Sequence, residues 1–328
     1  DTEKHLIAQI KELNKQLEVS QQLRKVGEER FEAAPKARLI IVANRLPVTP
    51  RRTREGDAWR FDRSSGGLVS AFLGVKNMEI SWLGWVGCQV APEEQAQVTE
   101  QLAKQTPFPC YPVYLEADMA DHFYNGFCNN VLWPLLHYIP LSMLDSQASV
   151  AELQWQSYQS ANMAFCDAVM ALQLSDSDYV WVQDYHLMLL PKMLRERASQ
   201  MSIGWFLHTP FMTSEMYRTL PHREEILRGV LGADLVGFHI YDYARHFHVS
   251  CSRVLGTGGT EGITEGNEGI FDHASRRSIA VDAFPIGIDP SRFEEMLETA
   301  PVKDKIIDLQ RRFDGKKVLL GIDRLDYV

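Results

Sequence analysis

The 328 residues include only five cysteines, and no two of them are spaced C-x-x-C. An odd count without that spacing excludes a disulfide framework and a structural zinc site of the usual kind. The sequence also has no N-x-S/T sequon, no run of 18 apolar residues and no leader-like apolar segment. A soluble protein of a reducing compartment, most simply the cytoplasm, is the expectation. Positive charge is not in excess either. Lys and Arg number 34 against 43 Asp and Glu, a formal net charge of −9. That argues against nucleic acid or an anionic membrane as the main partner. A small phosphorylated ligand remains open, because a local arginine can hold one inside an acidic protein. Neither G-x-G-x-x-G nor the P-loop pattern occurs, so no dinucleotide or ATP site follows from motif.

What is there begins with length and apolar content. The chain is long enough for two domains, and 45% of it is hydrophobic. Residues 1–35 read as a helical extension in which Leu6, Ile10, Leu13 and Leu17 would make a short seam at 4-3-4 spacing. Two heptads fit either a helix packed on its own domain or one reserved for a partner, including a second copy in a homo-oligomer. After Pro35 the pattern changes. RLIIVAN, ISWLGWVG, YVWVQD, SIGWFLH, ADLVGFH and SIAVDAFPIGI read as buried strands, and Val150–Leu172 and Arg223–Leu231 as helices. Alternating strands and helices predict an α/β fold, a Rossmann-like doubly wound parallel sheet covered on both faces, over residues 36–289. Gly256–Gly269 reads as a mobile loop or hairpin. Pro290 sits where a helix would start, and KVLLGIDRL, from Lys317, reads as a new strand. Residues 290–328 are thus a linker helix and the first strand of a second lobe, most of which would lie beyond Val328. The start at Asp1 reads as a cut or processed segment.

In doubly wound sheets, ligands bind beyond the carboxyl ends of the strands. Arg45 follows the first strand, where its guanidinium could grip a phosphate in bidentate fashion or pair with a local carboxylate. Gly66 and Gly67 open an amphipathic stretch, a place for an anion against free N–H groups or for a plain tight turn. Asp184 ends another strand and could accept sugar hydroxyls or cap the next helix. His208 ends a third, as a core histidine or a ligand contact. His186 reads as structural. Three strand ends presenting Arg45, Asp184 and His208 to one sheet edge favour one shared cleft. Trp85, Tyr124 and Trp133 fall in or beside loops, where rings can stack on sugars. His239, His246 and His248 lack an accompanying ligand pattern, so no metal is expected.

The runs VANRLPV, SSGGLVSAFLG, WLGWVG, FYNGFCNNVLWPLLHY, WVQDYHLMLLP, GWFLHTPFMTSEMYRTLP, DLVGFHIYDYARHF and GIDRLDYV, in that order from about Arg38, resemble the trehalose-6-phosphate synthases. These are retaining glycosyltransferases of the two-lobed GT-B type, in family 20. The resemblance implies glucosyl transfer from UDP-glucose to glucose 6-phosphate, with no cofactor. It implies that Arg45 and Tyr124 bind the acceptor phosphate, Asp184 its hydroxyls, and that Trp85 and Trp133 line the pocket. Gly66, Gly67 and Arg324 would hold the donor diphosphate, and His208 the transferred glucose. It further implies that the 328 residues alone are inactive, since such a site lies between two lobes. A non-catalytic regulatory member of the family, another GT-B transferase and a Rossmann dehydrogenase are the rivals; the missing fingerprint disfavours the last.

Overall fold

A computed structural model describes residues 37–52, 59–63, 69, 72, 75, 78–105, 107–140, 148–258, 262–265, 269–287 and 290–322. The N-terminal seam, Gly66, Gly67 and Arg324 lie outside the described residues.

Nine strands form one sheet in the order β5-β4-β1-β6-β7-β8-β11-β10-β9. These are β1 (Arg38–Arg45), β4 (Glu79–Trp85), β5 (Cys110–Val113), β6 (Tyr179–Gln183), β7 (Ser202–Phe206), β8 (Leu235–Phe238), β9 (Ile263–Glu265), β10 (Gly269–Asp272) and β11 (Arg277–Ala283). The pairings from β5 through β11 are parallel, and β10 and β9 add an antiparallel hairpin at the edge. Of the segment Gly256–Gly269, the described residues Ile263–Glu265 and Gly269 belong to this hairpin. A separate antiparallel pair joins β2 (Val48–Arg52) to β3 (Trp59–Arg63). The chain steps outward from β1 through β4 to β5, then returns to the other side of β1 at β6 and continues outward. The direction of travel reverses between β1 and β6, and that switch point opens a crevice at their carboxyl ends.

The central strands are continuous apolar runs because both their faces are covered. Ile40, Ile41, Val42, Leu83, Val180 and Val182 are all at most 1% exposed. The described helices are α1 (Pro92–Ala103), α2 (Ala117–Asp121), α3 (Trp133–Leu136), α4 (Ala148–Ala171), α5 (Leu190–Arg197), α6 (Ser214–Tyr217), α7 (Arg223–Val230), α8 (Tyr241–Leu255), α9 (Pro290–Leu297) and α10 (Ala300–Arg312). Coverage is less complete around β7 and β8 than the sequence predicts. An open apolar groove of about 370 Å³ there is lined by Trp181, Phe206, Phe284 and Ile286, and Leu235 is 40% exposed. The predicted strand from Lys317 is unpaired over its described part: Leu319 is 99% exposed, and a strand without a neighbour has no ladder to join.

One clamp fixes the foot of the switch point. Buried Asp178, just before β6, accepts from the Arg38 backbone N at 3.1 Å, from Arg38 Nη2 at 2.6 Å and from the Ser175 N–H at 2.8 Å. Arg38 holds this carboxyl well below the usual carboxylate range. Asp178→Ala leaves a partly buried guanidinium and two N–H groups without their acceptor. It should cost about 2 kcal/mol, read as a lower urea midpoint at unchanged m-value.

Candidate functional site

Arg45 is the last residue of β1, and the pairing of β1 with β4 slips between Ala43 and Arg45. A bulge of this kind re-aims the side chain that follows it. Trp82 Nε1 donates to the Arg45 carbonyl at 3.0 Å and fixes the backbone there. The guanidinium then lies over Trp85, with its carbon 4.3 Å from the ring centroid and 5.7 Å from that of Tyr124. It makes no ion pair or side-chain hydrogen bond with any described residue. Stacking holds the cation in place while leaving its N–H fork free.

Tyr124 is not in a loop. It stands in the eleven-residue segment His122–Leu132, wound as a π-helix, and Trp133 is the first residue of α3. Such wide turns are rare and concentrate at functional sites. Phe123 and Phe127 pack inward on Tyr158 at 5.9 and 4.8 Å, and Gly126 lets the segment press against α4. A Cβ on Gly126 would come 2.7 Å from Gln154 Cγ. With 123 and 127 turned inward, Tyr124 meets Trp85 at 6.1 Å and stacks on His186 at 5.8 Å.

Asp184 follows β6 with φ +71° and ψ 175°, a conformation that ordinarily belongs to glycine. The surroundings enforce it. Its N–H donates to the Phe206 carbonyl at 2.7 Å. The next residues are tied to α4, because Tyr158 Oη donates to the Tyr185 carbonyl at 2.8 Å and accepts from the Met188 N–H at 3.0 Å. Asn162 Nδ2 adds a bond to the His186 carbonyl at 3.1 Å. The Asp184 side chain makes no helix cap. Of the two roles open in the sequence, the helix cap is therefore not formed. Oδ1 accepts from the His208 N–H at 3.3 Å, and Oδ2 lies 3.8 Å from His186 Nδ1. Burial pushes this carboxyl up to about 6, against the pull of the Tyr185 and His208 amides. It is ionised at neutral pH and therefore a hydrogen-bond acceptor.

His208 follows β7. Its Nε2 lies 2.8 Å from Gln183 Oε1, which requires a proton on Nε2 and leaves Nδ1 as the acceptor. Burial, with His239 close by, lowers its pKa to about 4. Its ring centroid is 5.6 Å from that of His239. His186, read as structural, fills that role: it is buried between Tyr124 and Tyr185, and burial, helped by Arg45, lowers its pKa to about 3.

Arg45, Trp85, Tyr124, Asp184 and His208 thus form one connected wall at the switch point. Trp133 stands a row behind, 5.7 Å from Tyr185. Gln183 escaped notice in the sequence, and His239 was weighed there only as a metal ligand, although each occupies a strand end beside a residue that was singled out. His246 turns away, its Nδ1 3.0 Å from the Phe211 carbonyl. The wall combines a free cation on aromatic rings with a carboxylate and a neutral imidazole. That combination suits a ligand that is anionic at one end and hydroxyl-rich at the other.

Gly87 completes the cation's seat. Its φ is +82°, and a Cβ there would run into the Arg45 guanidinium. Gly87→Ala should therefore displace Arg45 and strain the turn. The expected result is a loss of about 1 kcal/mol in stability, measured by thermal melting.

Sheet order and wall together define a Rossmann-like lobe whose switch point gathers a cation, a carboxylate and a neutral imidazole. The chain belongs to glycosyltransferase family 20, whose model matches residues 37–328. It is 49% identical over 306 residues to an Arabidopsis thaliana UDP-forming alpha,alpha-trehalose-phosphate synthase, covering 92% of this chain and 31% of that protein. The N-terminal domain of a Candida albicans trehalose-6-phosphate phosphatase superposes with TM-score 0.74 at 30% identity, over 90% of this chain and 58% of that one. A Burkholderia xenovorans UDP-forming trehalose-phosphate synthase superposes with TM-score 0.67 at 28% identity, over 89% and 57%. The chain spans between about a third and somewhat over half the length of these proteins. Among the described residues, no helix is long and apolar enough to cross a membrane.

Proposed function

We propose that the complete protein transfers glucose from UDP-glucose to glucose 6-phosphate, giving α,α-trehalose 6-phosphate and UDP with retention at the anomeric carbon. The observation that carries this reading is the Arg45 guanidinium, stacked on Trp85 and Tyr124 without an ion-pair partner among the described residues, in one wall with Asp184, whose Oδ1 accepts from the His208 N–H. Residues 36–289 form the acceptor lobe, and residues 290–328 lead into the donor lobe. Arg45 and Tyr124 take the acceptor phosphate and Asp184 its hydroxyls, with Trp85 and Trp133 as walls. Gly66, Gly67 and Arg324 neutralise the donor diphosphate, and neutral His208 accepts a hydrogen bond from the transferred glucose. The acceptor hydroxyl attacks the face that UDP leaves, so no side-chain nucleophile is required. Catalysis rests on positioning and on stabilising the charge that grows on the leaving diphosphate. The protein works in the cytoplasm, without a cofactor and without nucleic acid or membrane as partner, and can assemble as a homo-oligomer.

A second reading, a non-catalytic regulatory member, draws support from the likeness to the N-terminal domain of a phosphatase. One experiment separates the two. The full-length protein is mixed with UDP-glucose and glucose 6-phosphate, UDP release is followed, and the anomeric configuration of the product is read by NMR. Steady UDP release with an α,α product supports the transferase. UDP-glucose bound without turnover overturns it in favour of the regulatory reading.

A further inference from the structure

A cavity of about 540 Å³ opens between α6, α7 and α8 and shares no residue with the cleft wall. Its lining includes Arg218, Arg223, Arg253 and His222, with Glu224 and Glu225. The carboxylates already have partners. Glu224 pairs with Arg228 at 3.1 Å, and Glu225 lies 3.7 Å from His222 Nδ1. Arg253 is bonded to Ser214 Oγ at 2.9 Å and to Glu215. The guanidinium groups of Arg218 and Arg223 remain, and neither makes a hydrogen bond or ion pair with any described residue. Both line one concavity, in a chain whose net charge is −9.

The site is also built on rigid supports. His222 is held at φ +54° and lies flat on Trp155, at 4.1 Å and 2° between the rings. Trp155 is only 4% exposed. That stack fixes the turn from which Arg223 starts. His222 offers no side-chain cap to α7, so the first-turn N–H groups add their partial positive charge.

We propose that this cavity binds the phosphate of a small phosphorylated, hydroxyl-bearing metabolite, separately from the acceptor site. Arg218 and Arg223 take the phosphate, and Glu224 and Glu225 accept from hydroxyls. The two carboxylates repel an extended polyanion, which selects a phosphate monoester over a nucleic acid. The volume lies in the range that small ligands fill.

The test uses the full-length protein saturated with UDP and carrying Arg45→Ala, so that the proposed phosphate positions in the cleft are filled or removed. Equilibrium dialysis with labelled orthophosphate should show one ion bound per chain. Adding Arg218→Gln and Arg223→Gln should weaken that binding at least tenfold. The paired Arg→Lys changes should restore most of it, since charge is kept. Arg218→Gln alone, at an exposed side chain, serves if the double variant does not fold. Unchanged binding in the Gln variants, or no orthophosphate bound in the Arg45→Ala background, overturns the proposal. The acceptor role of Arg45 is judged separately, by whether Arg45→Ala itself removes one phosphate from the UDP-saturated wild type.

Discussion

Arg45→Ala should raise the KM for glucose 6-phosphate on the order of 100-fold and leave the KM for UDP-glucose nearly unchanged. The guanidinium stacks on Trp85 and Tyr124 and has no carboxylate partner among the described residues, so its removal leaves no buried charge unpaired. Stability should scarcely change, and a thermal melt within a degree or two of wild type is part of the expected result. Arg45→Lys is the informative companion. It keeps a charge but loses both the flat face that stacks and the fork that meets two phosphate oxygens. It should recover only a fraction of the lost affinity. A large rise in the donor KM, with acceptor binding intact, would instead place Arg45 on the nucleotide-sugar side and overturn its assignment to the acceptor.

The sheet and three of its candidate strand ends were legible because they rest on short-range rules. Val, Ile and aromatic runs bounded by Asn, Asp, His or Gly mark buried parallel strands, and the residue after each run marks the carboxyl edge. Arg45, Asp184 and His208 all fall there. The edge hairpin was legible only as an alternative, since glycines signal a turn without saying whether its arms pair. β5 was missed because CYPV has four residues, a proline and no alternation. The π-wound segment was out of reach for a different reason. FYNGFCNN carries glycine and three asparagines, which read as loop, and only packing of Phe123 and Phe127 against α4 makes it helical. The bulge that aims Arg45 depends on the register of β1 against β4, which no local sequence sets. Coverage near β7 and β8 was overstated because buried-strand composition does not say which covering segment supplies the second face.

Asp184→Asn should stabilise the fold and cripple the enzyme. The folded carboxyl titrates near 6, above its unfolded value of about 4, so ionisation is penalised by folding. The sign follows from proton binding. Below about pH 4 both states are protonated and the penalty is absent; above about pH 6 it is complete. Asparagine cannot ionise, and it keeps the side-chain carbonyl that the His208 N–H needs. Wild type and variant should therefore unfold alike near pH 4 and diverge as pH rises, reaching a gap of roughly 1 to 3 kcal/mol by pH 7. The buried histidines work the other way. His186 and His208 stay neutral down to about 3 and 4, so stability falls as pH drops below the ordinary histidine range near 6.5. In wild type, the protonation of Asp184 offsets part of that loss between pH 6 and 4. Without it, the variant should lose stability more steeply with acid. Activity should move oppositely to stability. In the proposed acceptor role, a neutral amide would present the hydroxyls with one acceptor and a competing donor in place of two carboxylate oxygens, so kcat/KM should fall by about two to three orders of magnitude. Denaturant melts from pH 4 to 8, beside acceptor kinetics at pH 7.5, test both halves at once. Equal stability of the two proteins at pH 7 would show that the strained carboxylate is not paying the cost its burial implies.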